Sequence, residues 1–136
     1  MGCNFDLIVG YKFKIAKYLC CERLPAAQTV HAARAEMQRA INALEGPGGA
    51  HFRVVRGVGN PCHGMPGGGI VDDLAEAAVQ KAFGTDAAQT SQRIVALALE
   101  IAVRSIASSG ATLEEIKRAG RAVCDLLRAA SVPLGP

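Results

Sequence analysis

The longest hydrophobic pattern in the chain runs over residues 87–109. Between positions 94 and 106 almost every residue is apolar, and the two charges, Glu100 and Arg104, lie four residues apart on one face of a helix. The uncharged run before Glu100 is much shorter than the roughly 18 residues that a membrane-spanning helix needs. We therefore expect this segment to be the buried central helix of a bundle, and we expect no membrane partner.

A second helix is predicted over residues 25–46. Pro25 suits the first turn of a helix, and Gly46 followed by Pro47 ends it. Its apolar positions recur at helical spacing and form one stripe: Val30, Ala33, Met37, Ile41 and Leu44. His31 lies off this stripe, so its side chain is expected at the surface.

The pattern of residues 70–84 predicts a third helix. Asp72 and Asp73 fall in its first turn, where the helix dipole favours negative charge. The preceding loop, residues 59–69, is rich in proline and glycine but lacks the Gly-Lys-Ser/Thr sequence of a phosphate-binding loop. We therefore expect no phosphate site there.

The last helix is predicted over residues 112–130. Thr112 and Glu115 have the Ser/Thr-x-x-Glu spacing of a capping box. The apolar positions that follow alternate between spacings of three and four, which is typical of a seam that packs along another helix. We take five of them as the interaction seam: Leu113, Ile116, Gly120, Val123 and Leu127.

The outer face of this last helix is charged. Opposite charges stand four residues apart in two places, which favours pairing within the helix: Glu114 with Arg118, and Arg121 with Asp125. The helix also follows a short turn that contains Gly110, as the second helix of a helix-turn-helix DNA-binding motif does. In that interpretation the nucleic-acid face consists of Lys117, Arg118, Arg121 and Arg128.

The beginning of the chain is ambiguous. Residues 5–19 alternate briefly and carry β-branched and aromatic side chains, yet their lysines recur at nearly helical spacing. A strand followed by a helix and a single helix from Tyr11 are both open. Because residues 52–58 also suit a short strand, one short strand pair, formed by residues 5–11 and 52–58, can accompany the helices.

Composition favours a helical fold. The 136 residues fit one domain, and 50% of them are hydrophobic while only 4% are aromatic, which is typical of closely spaced helices. We predict a single domain over residues 1–136, a mainly α bundle of four to five helices around the central one, with loops at 46–49 and 59–69. The net charge of +3 is too small to make nucleic-acid binding the default.

The cysteines favour a reducing environment. There are five, an odd number, and no apolar signal segment precedes them: Cys3, Cys20, Cys21, Cys62 and Cys124. We therefore expect a cytoplasmic protein, or one within a particle assembled inside the cell, with unpaired thiols. Cys124 and one member of the adjacent pair are then small core residues.

About forty residues resemble the zinc-dependent cytidine deaminase family. In that family a helix carries His-Ala-Glu, a strand follows, and Pro-Cys-x-x-Cys opens the next helix; the His and Cys residues bind zinc and the Glu transfers protons. Here His31 lies on the second predicted helix, and Pro61-Cys62 precedes the third. Two positions depart from the family pattern, because Ala33 stands where the Glu belongs and Met65 replaces the second Cys. The metal hypothesis therefore names zinc, with Cys62, His63 and His31 as ligands.

No nucleophile, paired acid and base, or triad is recognisable in the sequence, so we assign no catalytic residue. We expect a non-enzymatic helical protein that self-associates or docks on a larger protein complex, because a seam that is not filled within the monomer attracts another chain. Small phage-type structural and adaptor proteins are often helical in this way, which is an analogy of class. The alternatives are a nucleic-acid binder and a metal-binding protein related to deaminases.

Overall fold

The computed structural model describes residues 5–54, 58–62, 65 and 67–135. Most of them belong to six helices: α1 (Phe5–Tyr18), α2 (Val30–Glu45), α3 (Ile70–Ala75), α4 (Ala77–Phe83), α5 (Thr85–Ala107) and α6 (Leu113–Ser131). A π-helical turn, Leu19–Arg23, extends α1, and a 3-10 turn, Val132–Leu134, follows α6. The prediction of a mainly helical bundle is confirmed.

The central position of α5 is also confirmed. It packs against α2, α3, α4 and α6, and its inward face consists of buried, mostly small residues: Ala88, Ser91, Val95, Ala98 and Ala102. The opposite face is open to solvent and includes Leu97, whose side chain is 47% exposed. The helix is therefore central without being enclosed, and its exposed strip is not limited to Glu100 and Arg104.

The expected strand pair is wrong within the described part of the chain. Residues 5–11 belong to α1, in which Val9, Phe13 and Ala16 are buried. Their spacing of four and three places them on one helical face, so the apolar residues that suggested a strand pack against the core as a helix. Residues 52–54 have no regular structure, and residues 55–57 lie outside the described part.

Two helix boundaries differ from those predicted. α2 begins at Val30 rather than Pro25, because Thr29 is extended and its Oγ1 accepts a hydrogen bond from the Ala32 N–H at 3.0 Å. The helix predicted over residues 70–84 is divided into α3 and α4 at Glu76. The break brings Leu74 and Val79 into the core together, whereas residues five apart on one straight helix point about 140° apart.

The N-terminus of α6 is formed as the sequence predicts. Thr112 Oγ1 accepts a hydrogen bond from the Glu115 N–H, and Glu115 Oε1 accepts one from the Thr112 N–H, both at 3.1 Å. These hydrogen bonds hold the pKa of Glu115 below its usual range. α6 then packs along α5, and this is the most extensive helix contact of the fold.

Candidate functional site

The predicted interaction seam of α6 lies inside the protein. Four of its five residues are buried and one is half-buried: Ile116, Gly120, Val123 and Leu127, and Leu113 at the edge. At Gly120 the packing is so close that an added Cβ would lie 2.1 Å from Leu24 Cδ2. The seam is therefore filled within the monomer, and an interface with another chain has to use other residues.

The exposed face of α5 offers such residues. We define the α5 strip as Arg93, Ala96, Leu97, Glu100 and Arg104, which are all exposed and follow one another at helical spacing. Within the strip, Arg104 Nη2 lies 2.6 Å from Glu100 Oε1. Arg93 has no ion-pair partner among the described residues. The strip thus presents an apolar centre with charged residues on both sides along the helix.

A groove continues from this strip onto α6. It has a volume of about 500 Å³ and lies between the second half of α5 and the first half of α6. Its apolar lining includes half-buried Ile101, Ala119 and Ala122, and its charged lining includes exposed Arg104, Glu115 and Arg118. The groove is therefore an apolar surface with a charged margin, as protein interfaces commonly are.

The predicted nucleic-acid face is on the surface. Arg118, Arg121 and Arg128 are exposed, and Lys117 is half-buried. The pairing of Arg118 and Arg121 with carboxylates of the same helix is wrong, because neither forms an ion pair with a described residue. Exposed pairs contribute only about 0–1 kcal/mol, so a spacing of four residues does not by itself ensure that a pair forms. The arginines of this face are therefore available to a partner.

One pair of cysteines is joined. Cys21, in the π-helical turn, forms a disulfide with Cys124, in the middle of α6, and their Cα atoms are 5.2 Å apart. This corrects the expectation of unpaired thiols for these two residues. Cys20 remains free and buried, and burial raises its pKa to about 12. The adjacent cysteines thus have different roles, since one faces the core and the other faces α6.

A buried ion pair joins α1 to α3. Lys12 Nζ lies 2.5 Å from Asp73 Oδ2, and the two side chains are 1% and 0% exposed. Lys12 also donates a hydrogen bond to the Gly68 carbonyl oxygen at 2.8 Å. Burial raises the pKa of Asp73, and the hydrogen bond and charge of Lys12 oppose that rise. The helix dipole accounts for Asp72, which is exposed. Asp73 instead points into the core, where Lys12 links it to the Gly68 carbonyl of the glycine-rich loop.

The glycines of that loop are required by close packing. Gly67 has a φ of +85°, and an added Cβ would lie 2.5 Å from Asp73 Oδ1. Gly46, at the end of α2, has a φ of +81°, and its Cβ would lie 2.2 Å from the Gly69 nitrogen. The glycine-rich loop therefore packs against α1, α2 and α3 at once. The buried Lys12–Asp73 pair, which holds this loop, thus has a structural role.

The three residues of the metal hypothesis have different surroundings. Cys62 is buried, and burial raises its pKa, although the charge of Lys12 opposes the rise. His31 is exposed at the start of α2, and His63 lies outside the described residues. Within the described part, no three side chains of metal-ligating type come together. Zinc bound with the help of His63 stays a prediction.

Comparison with other proteins identifies no relative. No protein family, no curated protein and no solved structure matches the chain. Among the described helices, none combines the length and the hydrophobicity that crossing a membrane would require.

Proposed function

We propose that this chain is a non-enzymatic helical assembly protein that associates with a second copy of itself through the α5 strip. The observation that carries the proposal is the position of Leu97, which is 47% exposed on the helix around which the whole fold packs. Exposed Ala96 lies beside it, so another helix can approach closely at this point. Arg93 and Glu100 lie on either side of these two residues.

The charges of the strip complement those of an identical strip turned through a two-fold axis. If the axis passes between Ala96 and Leu97 of two antiparallel α5 helices, Leu97 packs on the Ala96 of the second copy. Arg93 then faces the Glu100 of that copy, and the symmetry forms this pair twice. Electrostatic complementarity of this kind fixes register and specificity.

The adjoining groove gives the interface room to grow. A stable interface buries about 800 Å² on each partner, which is more than one helix face supplies. The groove of about 500 Å³ beside the strip adds apolar area from Ile101, Ala119 and Ala122. Docking on a larger complex would use the same surface, so a second copy and an unrelated partner would compete for it.

The experiment is sedimentation equilibrium of the disulfide-intact protein and of Leu97→Glu. The substitution removes the apolar centre of the strip from an exposed position, so the fold tolerates it within about 0.5 kcal/mol. The matched control is Val132→Glu, which alters a 77% exposed residue outside the strip. We expect a dimer for the wild type and the control, and a monomer for Leu97→Glu. A dimeric Leu97→Glu, a monomeric Val132→Glu or a monomeric wild type would each overturn the proposal.

The exposed arginines of α6 support a second candidate function, nucleic-acid binding. Arg118, Arg121 and Arg128 form no ion pair with a described carboxylate, so their charges can act on phosphates. The acidic residues at the N-terminus of the same helix, Glu114 and Glu115, oppose this function. It predicts an affinity for duplex DNA that falls steeply with salt and weakens in Arg121→Gln.

We also propose that the protein is cytoplasmic. The Cys21–Cys124 disulfide provides a test of this location. Disulfides persist in oxidising compartments and are rare in the cytoplasm. If thiols are blocked at the moment of lysis, a cytoplasmic protein will show Cys21 and Cys124 labelled, whereas a protein from an oxidising compartment will show them protected.

A further inference from the structure

A groove separate from the α5 strip lies where α2 meets the end of α5 and the segment after α2. It has a volume of about 270 Å³, and its lining includes six residues that can contact a ligand: His31, Arg34, Gln38, Arg53, Val58 and Ile106. An adjoining cavity of about 170 Å³ shares Gln38, Arg53 and Ile106 with it. We call this surface the α2 groove.

The charge of the α2 groove has one sign. Arg34 and Arg53 line it together with His31, and no Asp or Glu is among the described residues of its lining. Neither guanidinium forms an ion pair with a described residue. Two permanent positive charges therefore border one cavity, and no carboxylate of the described residues is paired with either of them.

Backbone carbonyl groups hold both guanidinium groups in place. Arg34 donates hydrogen bonds to the carbonyl oxygens of Ile106 and Ser108 at 2.7 and 3.0 Å, at the end of α5. Arg53 Nη1 donates to the carbonyl oxygens of Phe52 and Ala50 at 2.8 and 3.0 Å. Each guanidinium has five N–H donors, so donors remain for a ligand. Because these hydrogen bonds restrict the two side chains, binding costs less conformational entropy.

The other described residues of the lining are uncharged, and most of them are apolar. Val58 is buried, Ile106 is half-buried, and the uncharged Gln38 lies between the two cavities. The two cavities together match the lower end of the roughly 300–1,000 Å³ found for ligand pockets. We infer that the α2 groove binds a small organic anion, whose phosphate or carboxylate group lies between Arg34 and Arg53 and whose apolar body rests against Val58 and Ile106.

The test is a titration of the ¹⁵N-labelled, disulfide-intact protein with three probes: phenyl phosphate, benzoate and the neutral phenol. We expect saturable shifts of the amide signals around the groove with the two anions and none with phenol. Arg53→Gln should weaken binding about tenfold, the loss of roughly one charge-assisted hydrogen bond. Arg128→Gln, which removes an exposed arginine of α6, is the matched control and should bind as the wild type does.

A second variant protects the test against a local change of fold. His31 is exposed and makes no hydrogen bond in the described structure, so His31→Glu adds a negative charge at the groove without breaking a contact. It should also abolish the anion-specific shifts. Equal shifts with phenol and the anions, equal affinity of Arg53→Gln and Arg128→Gln, or unchanged affinity of His31→Glu would each overturn the inference. None of these outcomes depends on self-association through the α5 strip.

Discussion

Lys12 and Asp73 form an ion pair that solvent does not reach, although 61 residues separate them in the chain. The pair closes α1 onto α3 and positions the glycine-rich loop over the core through Gly68. Its two members depend on each other, because a single buried charge without its partner is strongly unfavourable.

The first prediction concerns this pair. Lys12→Met leaves the Asp73 carboxyl without a cation, so we expect unfolding in urea to show a loss of about 3–5 kcal/mol at pH 7. Without Lys12, its hydrogen bond and charge no longer oppose the effect of burial, so the pKa of Asp73 rises further above its ordinary value. A raised pKa in the folded state favours folding with the proton bound, so the loss should be smaller at pH 4 and should grow as the pH rises.

The double variant K12M/D73N distinguishes this explanation from simple loss of packing. If the pair acts as a unit, the double variant costs less than the sum of the two single variants. Strict additivity, or a loss in Lys12→Met that does not vary with pH, would contradict the account.

The second prediction uses two helical glycines. An added Cβ at Gly120 would overlap the side chain of buried Leu24, whereas one at Gly10 would meet no atom within 4 Å. We expect Gly120→Ala to destabilise the fold by about 1–3 kcal/mol through overpacking, and Gly10→Ala to stabilise it by about 0.5–1 kcal/mol. Thermal unfolding gives both values, and a stabilised Gly120→Ala would show that the seam is looser than described.

The third prediction concerns the disulfide. The bond between Cys21 and Cys124 spans 103 residues of sequence, and in the chain-entropy treatment such a loop corresponds to about 4–5 kcal/mol. We expect the reduced protein, or C21A/C124A, to unfold at a clearly lower urea concentration than the oxidised protein. Equal midpoints for the two forms would mean that the bond does not contribute to stability.

The fourth prediction is a pH dependence that depends on Cys20. Its pKa is raised from the ordinary 9.0 to about 12 in the folded protein, so the unfolded chain loses this proton first as the pH rises. The stability is therefore fully present below about pH 9 and decreases above it, by about 1 kcal/mol at pH 10. Cys20→Ala should unfold more easily at pH 8 but lose less stability between pH 8 and 10. A slope identical to that of the wild type would contradict this.

Local sequence signals predicted α5 and α6 well. The Thr112–Glu115 capping box and the apolar periodicity of α5 and α6 depend on residues close in sequence, and the structure forms these elements accordingly. The sequence left α1 ambiguous because its β-branched and aromatic residues are typical of strands. The structure shows that Val9 and Phe13 are buried against the other helices, and this packing stabilises the helix.

The partners of individual side chains could not be predicted. Nothing near Asp73 in the sequence indicates that Lys12 lies opposite, and the choice between Cys20 and Cys21 depends on how the π-helical turn faces α6. Arg34 and Arg53 likewise line one cavity only because of the path of the chain after α2. Periodicity identified the packing face of α6, but it could not show that Leu24 fills that face from within the monomer.

The most direct test of the proposed self-association is a charge reversal across the two-fold axis, measured as the dimer dissociation constant by sedimentation equilibrium. In Arg93→Glu, the new carboxylate faces the Glu100 carboxylate of the second copy at both symmetry-related positions. In Glu100→Arg, two arginines face each other at the same positions. Each single variant should therefore dissociate. R93E/E100R restores opposite charges and should dimerise again. A double variant that is no tighter than either single variant, or a wild type that stays monomeric at the highest attainable concentration, would contradict the account.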